Sequence, residues 1–175
     1  VITVLGIDTG FAALGWAKLV VRTTTWAAPA RTVIDCGVIA TERSAAAARS
    51  TEDDVRRLDE LARALVLLGD RVDLIAYELP AGAQGARAAL TLGAAHGLIR
   101  GVFLDVREGA PPLMYVTPRQ VKVALAENEH ADKPAMIAAA ERWRPQVRNI
   151  PRALQEHAAD AIGVTLAAVE KRRGV

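Results

Sequence analysis

Three apolar runs of strand length precede the first helical pattern in this sequence, and that order restricts the sheet it can build. Val1 to Asp8 is apolar and ends in Gly6-Ile7-Asp8-Thr9-Gly10, the pattern of a buried strand entering a tight turn. Leu14 to Val21 reads as its hairpin partner. A polar, Thr-rich and Pro-containing stretch from Arg22 to Arg31 separates it from Thr32 to Ala40, a third strand of mixed alternation. Three sequential strands predict an antiparallel meander.

From Ser50 the period becomes helical. Ser50 or Thr51 can cap the Glu52-Asp53-Asp54 turn, and Val55, Leu58, Leu61, Ala62, Leu65 and Leu68 share one face before Gly69-Asp70. Val72 to Tyr77 is a further apolar strand that delivers Glu78 to its end, just before Leu79-Pro80. An Ala-rich helix is expected from Gln84 to Val106, with Ala88, Leu92, Ala95, Ile99, Val102 and Phe103 on its packed side. Pro111-Pro112 introduces a fifth strand, Leu113 to Val116, and Thr117-Pro118 opens a short helix to Ala126 as N-cap and first-turn proline. Helices from Asp132 to Trp143 and from about Arg152 to Arg173 follow a break at Asn128 to Ala131 and another at Pro145 to Pro151. In the first, Met136, Ile137, Ala140 and Trp143 face inward. In the second, the apolar side is Leu154, Ala158, Ala161, Ile162, Thr165, Leu166 and Val169. The sum is an α/β fold with a mixed five-stranded sheet and helices on both faces.

With 175 residues, no internal repeat and no extended linker, residues 1–175 are expected to form a single domain. Cys36 is the sole cysteine, which excludes an intramolecular disulfide and a multi-cysteine zinc site. The sequence has neither an apolar run of bilayer length nor the pattern of a secretory signal, so a soluble, cytoplasmic protein is expected. Net charge is +2, from 22 Lys and Arg against 20 Asp and Glu, so bulk charge says little about a polyanionic partner. Its distribution says more. Arg119 and Lys122, then Arg142, Arg144, Arg148 and Arg152, then Lys171, Arg172 and Arg173 concentrate cations in the later part of the chain. The last trio reads as a solvated face.

Asp8 ends an apolar strand, where an ionised carboxylate is costly without a cation, a strong donor or solvent. Gly6 and Gly10 would let the backbone turn closely around a ligand. A Gly-x-Asp-x-Gly turn alone serves equally as a structural cap or turn, and it also occurs in sugar-kinase and actin-like ATPases. Glu78 repeats the arrangement on a second strand, and two acids at strand ends are harder to assign to structure alone. On the last helix, Glu156-His157-Ala158-Ala159-Asp160 places His157 and Asp160 three apart on one side. Taken singly, a surface or core histidine and a solvated acid are the commoner outcomes. Together these groups offer oxygen ligands and an optional imidazole to hard divalent cations such as Mg2+ or Mn2+, a phosphoryl-transfer constellation.

The motifs in order resemble those of RuvC-type Holliday-junction resolvases of the RNase H-like superfamily. Gly6-Ile7-Asp8-Thr9-Gly10 with Leu14-Gly15-Trp16 is similar to the family's first strand and hairpin. Tyr77-Glu78 followed by Ala86-Arg87-Ala88-Ala89-Leu90-Thr91-Leu92-Gly93-Ala94-Ala95-His96-Gly97 is similar to its second acid and next helix. Tyr115 to Lys122 and Ala131-Asp132-Lys133 resemble segments that carry basic residues, and His157-Ala158-Ala159-Asp160-Ala161 resembles the terminal acid motif. The resemblance spans nearly the whole chain. It implies an RNase H-like fold and an endonuclease that nicks four-way junctions symmetrically with two Mg2+ ions per site, Mn2+ substituting. It implies Asp8, Glu78, His157 and Asp160 as metal ligands and catalytic groups, with Lys122 as catalytic support. Lys122 and Lys133 are implied as DNA contacts, and a homodimer as the working form. The clustering of basic residues adds Arg119 as a DNA contact, Arg87 either meets phosphate or solubilises its Ala-rich helix, and the small-residue face of the Gln84 to Val106 helix is the candidate interface.

Two positions depart from the family pattern. His157 stands where many relatives have aspartate, which makes ligation pH-dependent because only neutral imidazole binds metal; a histidine variant of the motif also occurs in the family. Ala81 lies where many bacterial members have an aromatic that stacks on junction bases, which removes a contribution of about 1–3 kcal/mol. A broader branched-DNA or flap nuclease, as in the more varied bacteriophage branch, is therefore an alternative. Two others are a catalytically silent junction-binding protein, opposed by retention of the acids, and an ATPase fragment, opposed by the absence of a second such turn. Trp16, Trp26, Trp143 and Cys36 read as packing residues, with Trp26 in a polar loop.

Overall fold

The computed structural model describes residues 1–22, 30–45, 49–79, 82, 85–104 and 110–173. Ala81 and Trp26, both singled out above, lie outside these residues. The elements are β1 (Ile2–Asp8), β2 (Ala13–Arg22), β3 (Ala30–Ala40), α1 (Ser50–Leu68), β4 (Leu74–Glu78), α2 (Ala86–Phe103), β5 (Leu113–Val116), α3 (Pro118–Ala126), α4 (Lys133–Trp143) and α5 (Gln155–Arg173). Two short 3-10 turns, Pro145–Asn149 and Arg152–Leu154, fill the break before α5. No helix among the described residues is long and apolar enough to cross a membrane.

The sheet runs β3-β2-β1-β4-β5. The expected meander is present, since β1 pairs antiparallel with β2 and β2 with β3. On its other side β1 pairs parallel with β4, and β4 with β5, each reached through a helical crossover. The mixed alternation of β3 has a local cause. Lys18 pairs with Asp35 but Leu19 pairs with Val33, so Ile34 is a bulge, 44% exposed, and the two halves of the strand alternate out of phase.

Period-two alternation assigns the faces of β1 and β4. Leu5, Ile7, Ile75 and Tyr77 pack with Leu61 and Leu65 of α1 and Ile99 and Phe103 of α2. Val4, Leu74 and Ala76 face the opposite way, against Ala161, Ile162 and Leu166 of α5 and the helices beside it. Asp8 and Glu78 continue this second series, so both acids belong to the α5 side. Parallel pairing of Ile7 with Tyr77 then sets Asp8 and Glu78 side by side at one edge of the sheet.

Local caps set the later helices. Thr117 and Gln120 form a reciprocal capping box at the start of α3, and Asp132 accepts from the Ala135 amide at the start of α4. Helix α5 is buried nearly all round, well beyond the one-sided stripe expected. It has sheet on one side and α3 and α4 on the other. Two expectations need correction. Helix α1 turns Asp53, Arg57, Leu61 and Leu65 inward, leaving Val55 exposed, and Arg49 rather than Ser50 or Thr51 takes its N-cap position. Helix α2 buries Ala95, Ile99 and Phe103, whereas Ala88 is exposed, because the apolar packing of the helix with Leu61 and Leu65 is made by Ile99 and Phe103 in its C-terminal half.

Candidate active site

The close approach of α5 to the β1–β2 hairpin builds the site. Gly15 pairs with Asp8 across the hairpin. A methyl group on Gly15 would lie 1.9 Å from the His157 carbonyl oxygen, so the first turn of α5 rests directly on that backbone. Gly6 is inside the strand rather than at the turn, and a side chain there would meet the Ala161 carbonyl at 2.6 Å. Its role is to let the helix approach, not to wrap a ligand. The consequence is a helix N-terminus held against the acid-bearing end of β1.

His157 Nδ1 stands 2.7 Å from Asp8 Oδ2, with both side chains only partly exposed. Thr9 donates its hydroxyl to the Glu78 carbonyl at 3.0 Å and ties the ends of β1 and β4 together. A cleft of about 430 Å³ opens here, lined by Asp8, Lys122, Asp132, Lys133, Glu156, His157 and Asp160, with Ala131 and Met136. Glu78 is not part of that lining, yet it shares the field of the same groups. Burial raises its carboxyl to about 8, reinforced by Asp8 and Asp160 and opposed by Lys122. Burial likewise raises Asp160 to about 7, with Asp8 and Glu156 adding and His157 and Lys122 opposing. The His157 imidazole is held above its ordinary value, first by the hydrogen bond with Asp8, so its protonated form donates to that carboxylate.

Of the expected cationic residues, Lys122 and Lys133 reach the cleft, Lys133 through a 2.5 Å ion pair with Glu156. Arg119 and Arg87 are not among its lining residues. Arg119 is 77% exposed and pairs with Glu129; Arg87 pairs with Asp54 at 2.5 Å beside a different cavity. Sequence reading passed over Glu156 and Asp132 as site residues. Adjacency to His157 and Lys133 was the available signal, but only the fold turns both into the cleft. Trp16 and Trp143 are partly buried against the two core clusters, as packing residues.

Among the described residues, no group of three His, Cys, Asp or Glu is already arranged to clasp an ion. The donor chemistry nonetheless suits a hard divalent cation. Carboxylates half-buried together repel one another, and a cation would relieve them more fully than Lys122 does. Asp8 would have to exchange His157 for the ion.

These shifts fix a sign. All three groups bind their protons more tightly in the folded chain than at their ordinary values. The stability those protons support is complete below the ordinary values and is lost as pH rises through the folded ones. Without divalent metal, the melting temperature is expected to fall from about pH 5 to about pH 8, by several degrees for each couple of kcal/mol. Mg2+ or Mn2+ should restore it at the upper end. Melts with EDTA and with metal across that range measure this; a metal-free profile that rises with pH would contradict it.

The family model of crossover junction endodeoxyribonuclease RuvC matches residues 4–168. The fold is similar to that of Thermus thermophilus RuvC in complex with Holliday junction substrate, with a TM-score of 0.74 at 21% identity, covering 99% of this chain and 96% of that one. A second Thermus thermophilus RuvC structure gives a TM-score of 0.67 at 26% identity, covering 98% and 96%. Fowlpox virus resolvase, in complex with Holliday junction DNA, gives 0.62 at 12% identity, covering 97% and 98%. Comparison with curated protein sequences gives no match.

Proposed function

The chain belongs to the RuvC family of crossover junction endodeoxyribonucleases, and from that premise we propose that it resolves four-way DNA junctions by metal-dependent phosphodiester hydrolysis centred on Asp8, Glu78, Asp160 and His157. The observation that carries this reading is the convergence of three carboxyls from β1, β4 and α5, two of them raised by burial and mutual repulsion, with two lysines at the same cleft.

The four groups would hold two divalent ions, Mg2+ with Mn2+ as a substitute. Once bound, such ions supply Lewis acidity and a more acidic water at neutral pH. The chain itself supplies position and charge. Lys122, which already pulls Glu78 and Asp160 toward ionisation, attracts the scissile phosphate and keeps the acids available as ligands. Lys133 can trade Glu156 for a backbone phosphate. His157 must release its proton to act as a ligand, so loading of the centre is opposed at low pH. Expected products carry 5′-phosphate and 3′-hydroxyl ends.

Paired nicks on opposed strands need two centres related by a two-fold axis. The exposed face of α2 suits an isologous interface. Leu90 and Leu104 are 65% and 57% exposed, and Gly93, Gly97 and Gly101 between them have open space where a side chain would stand. The absence of an aromatic at Ala81 favours, as a second reading, a nuclease of wider branched-DNA selectivity.

The test is cleavage of end-labelled four-way junction, flap and linear duplex in Mg2+ and in Mn2+. Symmetric nicks in the junction alone support the resolvase reading, and comparable cutting of the flap supports the wider one. Failure to cut any branched substrate with either metal would sink both.

A further inference from the structure

A second cavity, about 750 Å³ against about 430 Å³ for the acidic cleft, shares none of that cleft's described lining residues. Its walls include Phe11, Thr41, Arg43, Arg57, Arg87 and Thr91, and none of the described residues that line it is acidic. Arg57 is the informative member. It is only 5% exposed, yet no carboxylate among the described residues lies within ion-pair distance of it. Its guanidinium donates to Thr41 Oγ1 at 2.9 Å and to the Thr41 carbonyl at 3.1 Å, and stacks over Phe11 at 4.3 Å. Asp53, one turn earlier on α1, feels the Arg57 charge but is hydrogen-bonded by Arg56 and by the Ser44 amide. A buried cation whose acidic neighbour Asp53 is already hydrogen-bonded by Arg56 is only partly compensated, and a cavity with two more arginines on its wall is arranged to receive an anion.

The cavity's position says which anion. Phe11 follows Asp8 in the β1–β2 turn, and Arg87 opens the helix that follows Glu78. The cavity therefore lies at the same end of the sheet as the hydrolytic centre, but on the side of α1 and α2, whereas the cleft opens on the side of α3, α4 and α5. Guanidinium forks match phosphate oxygens in geometry as well as charge.

We propose that this cavity is a second phosphodiester subsite, where Arg57 and Arg43 hold a backbone phosphate of a DNA strand other than the one being cut, with Arg87 exchanging Asp54 for it. The proposal rests on the resolvase reading, because it is the branching of the substrate that brings a second strand to the far side of the sheet edge.

The experiment measures full-length protein binding a fluorescent four-way junction and a linear duplex in metal-free buffer, over a series of salt concentrations. Arg43→Glu alters an exposed residue, and Arg57→Lys keeps the charge while losing the fork. Arg71→Glu, at the opposite end of β4, controls for net charge. Arg43→Glu is expected to weaken junction binding about tenfold near 0.1 M salt and to reduce the slope of log K against log salt by roughly 0.9, the release expected from one phosphate. Arg57→Lys should weaken it severalfold, and the duplex should be affected less than the junction. Junction affinities and slopes unchanged in both variants, with wild-type protein cutting the junction in Mg2+, would overturn the subsite alone. Wild-type protein that neither binds nor cuts would remove the resolvase reading and the subsite with it. Inorganic phosphate that raises the melting temperature through Arg43, with junction affinity unaltered by Arg43→Glu, would assign the cavity to a free anion and overturn the proposal.

Discussion

Asp8→Asn should lower metal-dependent junction cleavage about a thousandfold or more while strengthening junction binding in metal-free buffer. The residue stands where β1, β4 and α5 meet, and its charge raises both Glu78 and Asp160. Replacing the carboxylate by an amide removes a formal charge and weakens any shared hold on cations. A loss on the order of 4 kcal/mol of transition-state stabilisation corresponds to about three powers of ten in rate. The same change removes one repulsive charge from the path of the DNA backbone, so the two effects have opposite signs. It should also bring Glu78 and Asp160 back toward ordinary carboxyl behaviour and raise the metal-free melting temperature near pH 8. Single-turnover cleavage, metal-free anisotropy and thermal melts read the three effects separately. Cutting within tenfold of the parent protein would displace Asp8 from the centre.

Gly15→Ala is expected to disable the protein by a different route, through packing. A methyl group here meets the carbonyl oxygen, carbonyl carbon and Cα of His157 at 1.9, 2.4 and 3.2 Å. All are backbone atoms of a helix buried almost throughout, so no rotamer change can relieve the contact. Overpacking of this kind costs about 1–3 kcal/mol and sometimes more, which for a chain of this size lowers the melting temperature by roughly 3–10 °C. The helix can yield only by moving away from β2, and that carries His157 and Asp160 away from Asp8. Displacement near 1 Å costs on the order of a hundredfold in rate where geometry supplies the catalysis. A melt paired with cleavage measured well below the new midpoint separates lost stability from lost alignment. Parent-like values for both would show that α5 is not fixed by this contact.

Much of the architecture was legible because it is written in local periods. Apolar runs gave the five strands, and Thr117-Pro118 gave the start of α3 to the residue, since a capping box is formed within a single turn. Boundaries moved where the chain has no local punctuation. Helix α2 is shorter than its Ala-rich segment, and α5 starts at Gln155 after a 3-10 turn rather than at Arg152.

Ion pairing between distant residues was not legible. Arg87 carries the same residue type whether it meets phosphate or Asp54, and Lys133 gives no local sign that Glu156 waits across the cleft. The inward face of α1 was misread for a related reason. Arg57 outranks Val55 as a buried residue only because Thr41 and Phe11, far away in sequence, satisfy its guanidinium.

The sequence by itself determined that acids end two apolar strands and that His157 and Asp160 share one side of the last helix, because strand and helix periods fix the direction of side chains within each element. Only the tertiary structure decided that these groups meet. That required the parallel register of Ile7 with Tyr77, which aligns two strand ends 70 residues apart, and glycines at positions 6 and 15, which let α5 lie against the sheet. Tertiary packing also decided the charge of the site, since desolvation and carboxylate repulsion depend on distances that no single segment contains.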